Sequence, residues 1–467
     1  MNGDQRPPAR VLQFGTGRLL RGLCSDVFAH ANADPSIPWE GSVVAVQSTG
    51  TQRADAINRR GGLFTLRARG MQRGRQIDES REIDEPASAF AADRDWARVI
   101  DVARAPSLDL IISNTTEAGL RVPEAPDPPD GESAPPSFVG KLLAVLAARA
   151  HAHPDRPLTI IPCELIESNG AVLRDAVLAH AARCGVDDEA VTWIAEHARF
   201  ADSLVDRICT APGVDDDPLD AVVEPYALWA IRDPDGAVGP LAFGAGGAEH
   251  SSHADTRARA SVHTDITPFY ARKVRVLNGG HIAVVHLGLL AGLQTVGDVM
   301  IPGPTRRFLD ALIESEILPA LEHDGIGGGR EFAADVVDRF SNPHLAHALA
   351  EIEKGSAQKV GIRLAPTAIA HHDRTRKHPP LVTLALGAWS ERTRRHLLDA
   401  PSSRIVLGTE ISASLAQAAG DPGRFAHALF GTVGAAFGES VPGDAVASAA
   451  ERIASAGTGA AIDWALG

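Results

Sequence analysis

Lysine is almost missing from this chain. Of its 45 basic residues only Lys141, Lys273, Lys354, Lys359 and Lys377 are lysines. Arginine serves wherever a permanent positive charge is needed, and it keeps its proton at working pH, whereas a desolvated lysine can release one. A lysine inside Ala-Arg-Lys-Val-Arg is therefore a better acid/base candidate here than in a lysine-rich protein. Cysteine is scarce too. Cys24, Cys163, Cys184 and Cys209 show no CxxC spacing and read as reduced, buried thiols of a cytoplasmic protein. No apolar run reaches the ~18 residues of a transmembrane helix, and no basic-then-apolar leader opens the chain, so no membrane role is expected. Positive charge is not in excess: the net charge is −14 and the pI about 5.7. That argues against nucleic acid or an anionic membrane surface as a partner. The two tyrosines set against 44 glycines reflect composition bias and carry no functional meaning.

What is present suits two domains. At 467 residues the chain exceeds one ordinary core. Residues 10–14 predict a short strand, and Gly15-Thr16-Gly17 turns it into a helix near Leu19. Strand, Gly-x-Gly, helix is how a dinucleotide-binding domain begins, because helix N-terminal amides can meet a pyrophosphate. Leu20 stands where the full fingerprint has its third glycine, so an ordinary βα turn also fits. Ser42–Val46, Leu108–Ser113 and Leu158–Cys163 predict buried strands. Gln47 and Ser48 end the first of these; with no acid there and Arg53 nearby, NAD and NADP both remain open. Asn114-Thr115-Thr116-Glu117 ends the second, as ligand contacts or as a helix cap. Asn169, after the third, reads as a helix cap or a substrate ligand. Residues 61–69 predict a strand and 76–86 a solvated acidic connection. Segments 200–208 and 224–231 read as the last sheet elements, and the Gly- and Ala-rich stretch 233–261 as the domain boundary.

Beyond residue 265 helical periodicity takes over, with helices predicted at 269–294, 304–321, 330–340, 344–354, 379–398, 409–419, 422–437 and 443–465. The fold class expected is α/β: an N-terminal Rossmann-like dinucleotide-binding domain (1–250), then a mainly α-helical C-terminal domain (251–467). The site belongs in the cleft of such a two-domain dehydrogenase.

The chemistry is concentrated in Lys273-Val-Arg-Val-Leu-Asn278-Gly279-Gly280-His281. At 100° per residue Lys273, Asn278 and His281 share an arc of roughly 140°. A lysine, an amide and an imidazole on one face suit proton transfer at a carbonyl or alcohol oxygen. Paired glycines in a helix suggest that a ligand or another backbone comes close. The bland alternative is a solvated basic turn with a core histidine.

Taken together, Gln13–Gly17, Ser113–Gly119, Glu164–Gly170, Val205–Ile208, Glu224–Tyr226 and Lys273–His281 resemble the polyol-specific long-chain dehydrogenases, the mannitol dehydrogenase family. The resemblance keeps their order over residues ~10 to ~390. Val46–Gly50, Ser113–Gly119 and Ile161–Gly170 look more like the branch that reduces keto-uronates such as tagaturonate than like the mannitol branch. The resemblance implies a metal-free, NAD-dependent secondary alcohol dehydrogenase. Lys273 matches the general acid/base, Asn278 and His281 the oxygen-polarising pair, and Asn169 an asparagine near the reacting carbon. Cofactor contacts are expected from Phe14, Gly15, Thr16, Gly17, Gln47, Ser48, Asn114, Thr115, Thr116 and Glu117, with the nicotinamide near 114–119. A small sugar acid or polyol is the substrate, and Lys359 and Arg363 are candidates for its carboxylate. The competing readings are a fructuronate or mannitol enzyme of the same family, a catalytically silent nucleotide sensor, and a metal hydrolase built on His371, His372, Asp373 and His378.

Overall fold

The computed structural model describes residues 6–37, 39–127, 133–213, 217–236 and 256–467. Two compact units divide the chain, Met1–Ile266 and Thr267–Gly467. Most of the stretch expected to hold the boundary, 237–255, lies outside the described residues.

The first unit is built on a six-stranded parallel sheet. Its strands are β1 (Ala9–Phe14), β2 (Ser42–Gln47), β5 (Ser88–Ala91), β6 (Leu110–Ser113), β7 (Leu158–Pro162) and β8 (Ala198–Phe200), in the order β5-β2-β1-β6-β7-β8. Alternate residues feed opposite faces, as period-2 geometry requires. Leu12, Phe14, Val44, Val46, Ile111 and Ile160 pack with α3 (Ala92–Arg104), α4 (Phe138–Ala152), α5 (Asn169–Cys184) and α6 (Asp188–His197). Val11, Val43, Leu110, Ile112 and Ile161 pack on the other side with α1 (Ser25–Ala33) and Trp229. Both faces are covered, which is why these strands read as continuous apolar runs. The order reverses between β1 and β6, and α/β sheets bind ligands in the crevice at such a point.

Two smaller sheets depart from the sequence reading. The acidic stretch expected as a solvated connection is a strand, β4 (Arg75–Ile83). It pairs along nine residues with β3 (Phe64–Gln72). Its charges have cross-strand partners: Asp78 meets Arg67 at 2.6 Å and Arg69 at 3.2 Å. A charged, mostly exposed edge strand carries little apolar alternation, so its period is hidden. β10 (Cys209–Thr210) and β11 (Ala221–Val223) complete that sheet. Strands β9 (Ser203–Asp206), β12 (Leu228–Arg232) and β13 (Ala260–His263) do not extend the main sheet; they form a separate three-stranded one. Buried Asp26 ties these layers together, accepting from Arg81 (2.6 Å), Arg207 (2.7 Å) and the Ala258 amide (2.8 Å).

The second unit is mainly helical. α7 (Thr267–Arg272) runs into a π turn, Lys273–Asn278, and then into α8 (Gly279–Leu290). Every residue of α8 from Gly279 to Gly288 is buried, as expected of a helix apolar all round. A helix at Ser356–Thr375 was not among those expected. Its N-cap Gly355 takes a positive φ of 68°, and Pro366 lies inside it. The glycine suits a helix start, but the internal proline argues locally against a helix, and burial against α8 overrides it. His286 of α8 meets Ser356 Oγ at 3.0 Å. Burial pushes the His286 imidazole down to about 3, so it serves as a neutral hydrogen-bonding group. No described helix is long and apolar enough to cross a membrane.

Candidate active site

In the first unit the crevice lies at the ends of β1 and β6. Gly15 holds a φ of +121°, and a methyl there would come within 2.8 Å of Leu20 Cδ1 and 3.3 Å of the Asn114 oxygen. Only glycine takes this turn without strain. A Cβ on Gly17 would meet nothing within 4 Å among the described residues, so the turn is open on that side. Arg21, buried, donates to the oxygens of Thr16 and Leu219; burial, with Arg53 and Arg18 nearby, pushes its guanidinium down to about 10. It fixes the glycine turn from beneath. The sequence reading missed it, because an arginine in a helix reads as a surface charge. A glycine-forced turn, open above Gly17 and set at a sheet switch point, fits the pyrophosphate of a dinucleotide.

Not every residue expected at the cofactor turns its side chain toward it. Phe14 is a core residue, fully buried and edge-on to Phe138 at 5.4 Å. Its contribution is its main chain, whose oxygen accepts from the Asn114 amide at 3.2 Å. Gln47 is engaged at both ends of its amide, donating to Thr49 O (2.8 Å) and accepting from Ala54 N (2.8 Å). Asn114 donates to Cys163 O at 2.7 Å. Thr115 donates its amide to Glu164 Oε1 at 2.8 Å, and Ser113 Oγ reaches Glu164 Oε2 at 3.2 Å. Buried Glu164 thus laces the ends of β6 and β7; burial raises its carboxyl above the usual range, against the pull of those donors. Thr116 and Glu117 are exposed, and Thr16 is buried.

Asn169 departs most from expectation. It has no exposed surface. Its amide nitrogen donates to the oxygens of Pro162 (3.0 Å), Glu164 (2.9 Å) and Ser203 (2.9 Å), and its oxygen accepts from Ser203 N at 2.9 Å. The amide is occupied by main chain on each side. Asn169 therefore pins β7 to β9 and acts as a positioning residue, not as a group open to substrate.

In the second unit, Lys273, Asn278 and His281 occupy one continuous helical run. The π turn between the first two changes their relation. Residues five apart in an i→i+5 turn stack one above the other, so Lys273 and Asn278 share a face more closely than a regular α-helix would allow. Lys273 and Asn278 are half-buried. The flanking arginines are taken up in structure. Arg272 donates to Gly327 O at 2.7 Å, and Arg275 pairs with Asp324 at 2.6 Å. His281 is stacked on Phe340 with ring centroids 4.1 Å apart, and His347 meets it edge-on at 5.0 Å. Burial, aided by Arg339, lowers the His347 imidazole.

The glycine pair has the expected cause at one position. A methyl on Gly279 would sit 3.1 Å from the main-chain oxygen of Arg363, so the 356–375 helix crosses backbone to backbone there. That crossing separates the two carboxylate candidates. Lys359 donates to the oxygens of Ile352, at 2.8 Å, and Lys354, capping the helix Leu349–Glu353. Arg363, half-buried and lowered by burial, has no ion pair or hydrogen bond among the described residues. It is a desolvated cation on the helix that touches Gly279. On the same helix His371 is buried and its neighbour His372 half-exposed, and they do not form a three-donor cluster among the described residues.

Known proteins resemble the chain over both units. The mannitol dehydrogenase Rossmann domain matches residues 9–241 and the mannitol dehydrogenase C-terminal domain residues 265–395. An altronate oxidoreductase of Bacillus subtilis (strain 168) is 35% identical over 374 residues, 77% of this chain and 74% of the relative. One from Halalkalibacterium halodurans is 32% identical over 82% of this chain and 74% of its own length. Among solved structures, a substrate-free D-sorbitol dehydrogenase superposes with a TM-score of 0.75 at 19% identity, covering 98% of this chain and 95% of its own. Pseudomonas fluorescens mannitol 2-dehydrogenase gives 0.63 at 21% identity over 98% and 94%. At those identities the likeness is one of fold.

Proposed function

This chain belongs to the mannitol dehydrogenase family, and from that premise we propose that it is an NAD-dependent, metal-independent keto-uronate reductase. The reaction is tagaturonate, NADH and a proton giving altronate and NAD. The observation that carries the reading is the π turn that stacks Lys273 and Asn278, with His281 held by Phe340 and His347 one turn on. Its specific substrate follows the relatives named altronate oxidoreductase.

Bound NADH would supply the hydride to the ketone carbon. The charge that develops on the ketone oxygen falls to Asn278 and His281, whose N–H groups donate to it. Lys273, as ammonium, gives that oxygen its proton. In the reverse direction a neutral Lys273 takes the proton from the alcohol. Arg363 is the carboxylate anchor, since its planar guanidinium has no ion-pair or hydrogen-bond partner among the described residues and binds carboxylates bidentately.

The test is NADH oxidation with tagaturonate, fructuronate and fructose side by side, for wild type, Lys273→Ala and Lys273→Arg. Tagaturonate turnover that drops by about 10²–10⁴-fold in both variants supports the reading. Arginine should not rescue, because it holds its proton. Preference for fructose moves the protein to the hexitol branch and leaves Lys273 in its role. NADH binding without turnover of any of the three leaves a nucleotide sensor.

A further inference from the structure

We propose that Asp127, His180 and Cys184 form a binding site in the first unit for one divalent metal ion of the zinc class. The site lies outside the reaction above and has a structural role. His180 and Cys184 are four residues apart on α5 and share a face. Asp127 comes from the loop that follows β6. One donor atom from each lies within 4.8 Å of the other two. Cys184 Sγ is 3.4 Å from His180 Nε2. Two ligands at about 2.1 and 2.3 Å from a tetrahedral ion would stand roughly that far apart. Asp127 Oδ1 contacts the same His180 nitrogen directly, so acid and thiol converge on one side of the ring, and an ion entering between them would displace the carboxylate outward to ligand spacing.

Three further features show a built cluster. His180 has no exposed surface. Asp127 Oδ2 is held by Ser137 Oγ at 2.8 Å, which leaves Oδ1 for the cluster. A methyl on Gly140 would collide with Asp127 Oδ2, so a glycine inside α4 makes room for this carboxylate. The loop is also docked on α5 next door, where Arg183 donates to the oxygens of Pro123 and Glu124.

The donor set selects the ion. One thiolate, one imidazole and one carboxylate suit a borderline ion such as Zn²⁺ over Mg²⁺ or Ca²⁺, which take oxygen ligands. Thiolate and carboxylate together balance a dication. Asp127 is mostly buried and Cys184 intermediate in exposure, so a water or a further ligand at the Cys184 side would complete the ion's shell. The ion would clip the loop leading from Asn114–Glu117 onto α5, within the nucleotide-binding unit.

The experiment titrates chelator-stripped protein with Co²⁺ and follows its absorbance. One equivalent should give the d–d bands of a tetrahedral site together with a thiolate-to-cobalt charge-transfer band. Cys184→Ser should lose the charge-transfer band, and Asp127→Asn should move half-saturation to higher Co²⁺. Zn²⁺ should displace the cobalt, slow modification of Cys184 by a thiol reagent, and raise the melting temperature of wild type but not of Cys184→Ser. Both substituted residues are partly exposed, so circular dichroism of each variant separates a lost ligand from a lost fold. A folded wild type with no Cys184-dependent band and no Zn²⁺-dependent melting shift overturns the proposal and leaves a hydrogen-bonded acid–imidazole–thiol cluster.

Discussion

The imidazole of His281 lies almost flat on the ring of Phe340, with centroids 4.1 Å and planes 24° apart. With His347 edge-on at 5.0 Å, the ring is held on two sides before any substrate arrives. Aromatic contact of this kind fixes orientation as well as burying area. Phe340→Leu keeps an apolar side chain of similar volume and should cost about 1 kcal/mol of stability. It should lower kcat roughly tenfold or more, with a smaller change in KM, because catalysis depends on placement of the donor. Steady-state kinetics with a melting curve on the same sample checks both.

Arg363 and Lys359 should separate cleanly. Arg363→Ala is expected to raise KM for a keto-uronate by about 10–100-fold, the worth of a charge-assisted contact. KM for a neutral ketose should hardly change. Lys359→Ala removes two caps from the oxygens of Ile352 and Lys354 and should lower the melting temperature without that substrate discrimination. Equal effects of Arg363→Ala on charged and neutral substrates would remove it as the anchor.

Asn169→Ala tests the reassignment of that residue. It strips partners from three main-chain oxygens and the Ser203 amide. The expected loss is about 2–5 kcal/mol of unfolding free energy, read from denaturant melts. Full stability with a collapsed kcat would return Asn169 to the reacting atoms.

Glu85 and Glu316 each contribute stability that falls as the pH rises. Burial pushes the Glu85 carboxyl up from 4.5 to about 8, and Glu316 up to about 7. Between pH 4.5 and those values the folded chain keeps protons that the unfolded chain releases. The folded state is therefore favoured at the low end and loses that advantage on the way up. Glu85→Gln retains an oxygen for the amides of Val43 (2.8 Å) and Ala87 (3.0 Å). Between about pH 5 and 8 the melting temperature of wild type should fall relative to that of this variant, by an amount equivalent to a few kcal/mol. Parallel slopes for variant and wild type would show that Glu85 is not held protonated.

The sequence alone determined the strands that run apolar without interruption: β1, β2, β6 and β7 are legible because both their faces are covered. It also determined the residue types of the Lys273–Asn278–His281 set and the glycine beside them. Tertiary structure decided the rest. The π turn alters which residues stack, and nothing in a 3.6-residue period announces it. The helix at 356–375 forms through a proline because α8 covers it. Lys359 and Arg363 look alike as cations four residues apart; one caps a helix and the other has no side-chain partner among the described residues. Asn169 meets Ser203, 34 positions away, and Glu164 meets Thr115, 49 positions away. Sequence supplies a side chain's chemistry and its local period. Which distant carbonyl or amide it meets depends on chain crossings that only the packed fold creates, and that decides whether a polar residue is a strut or is left for a ligand.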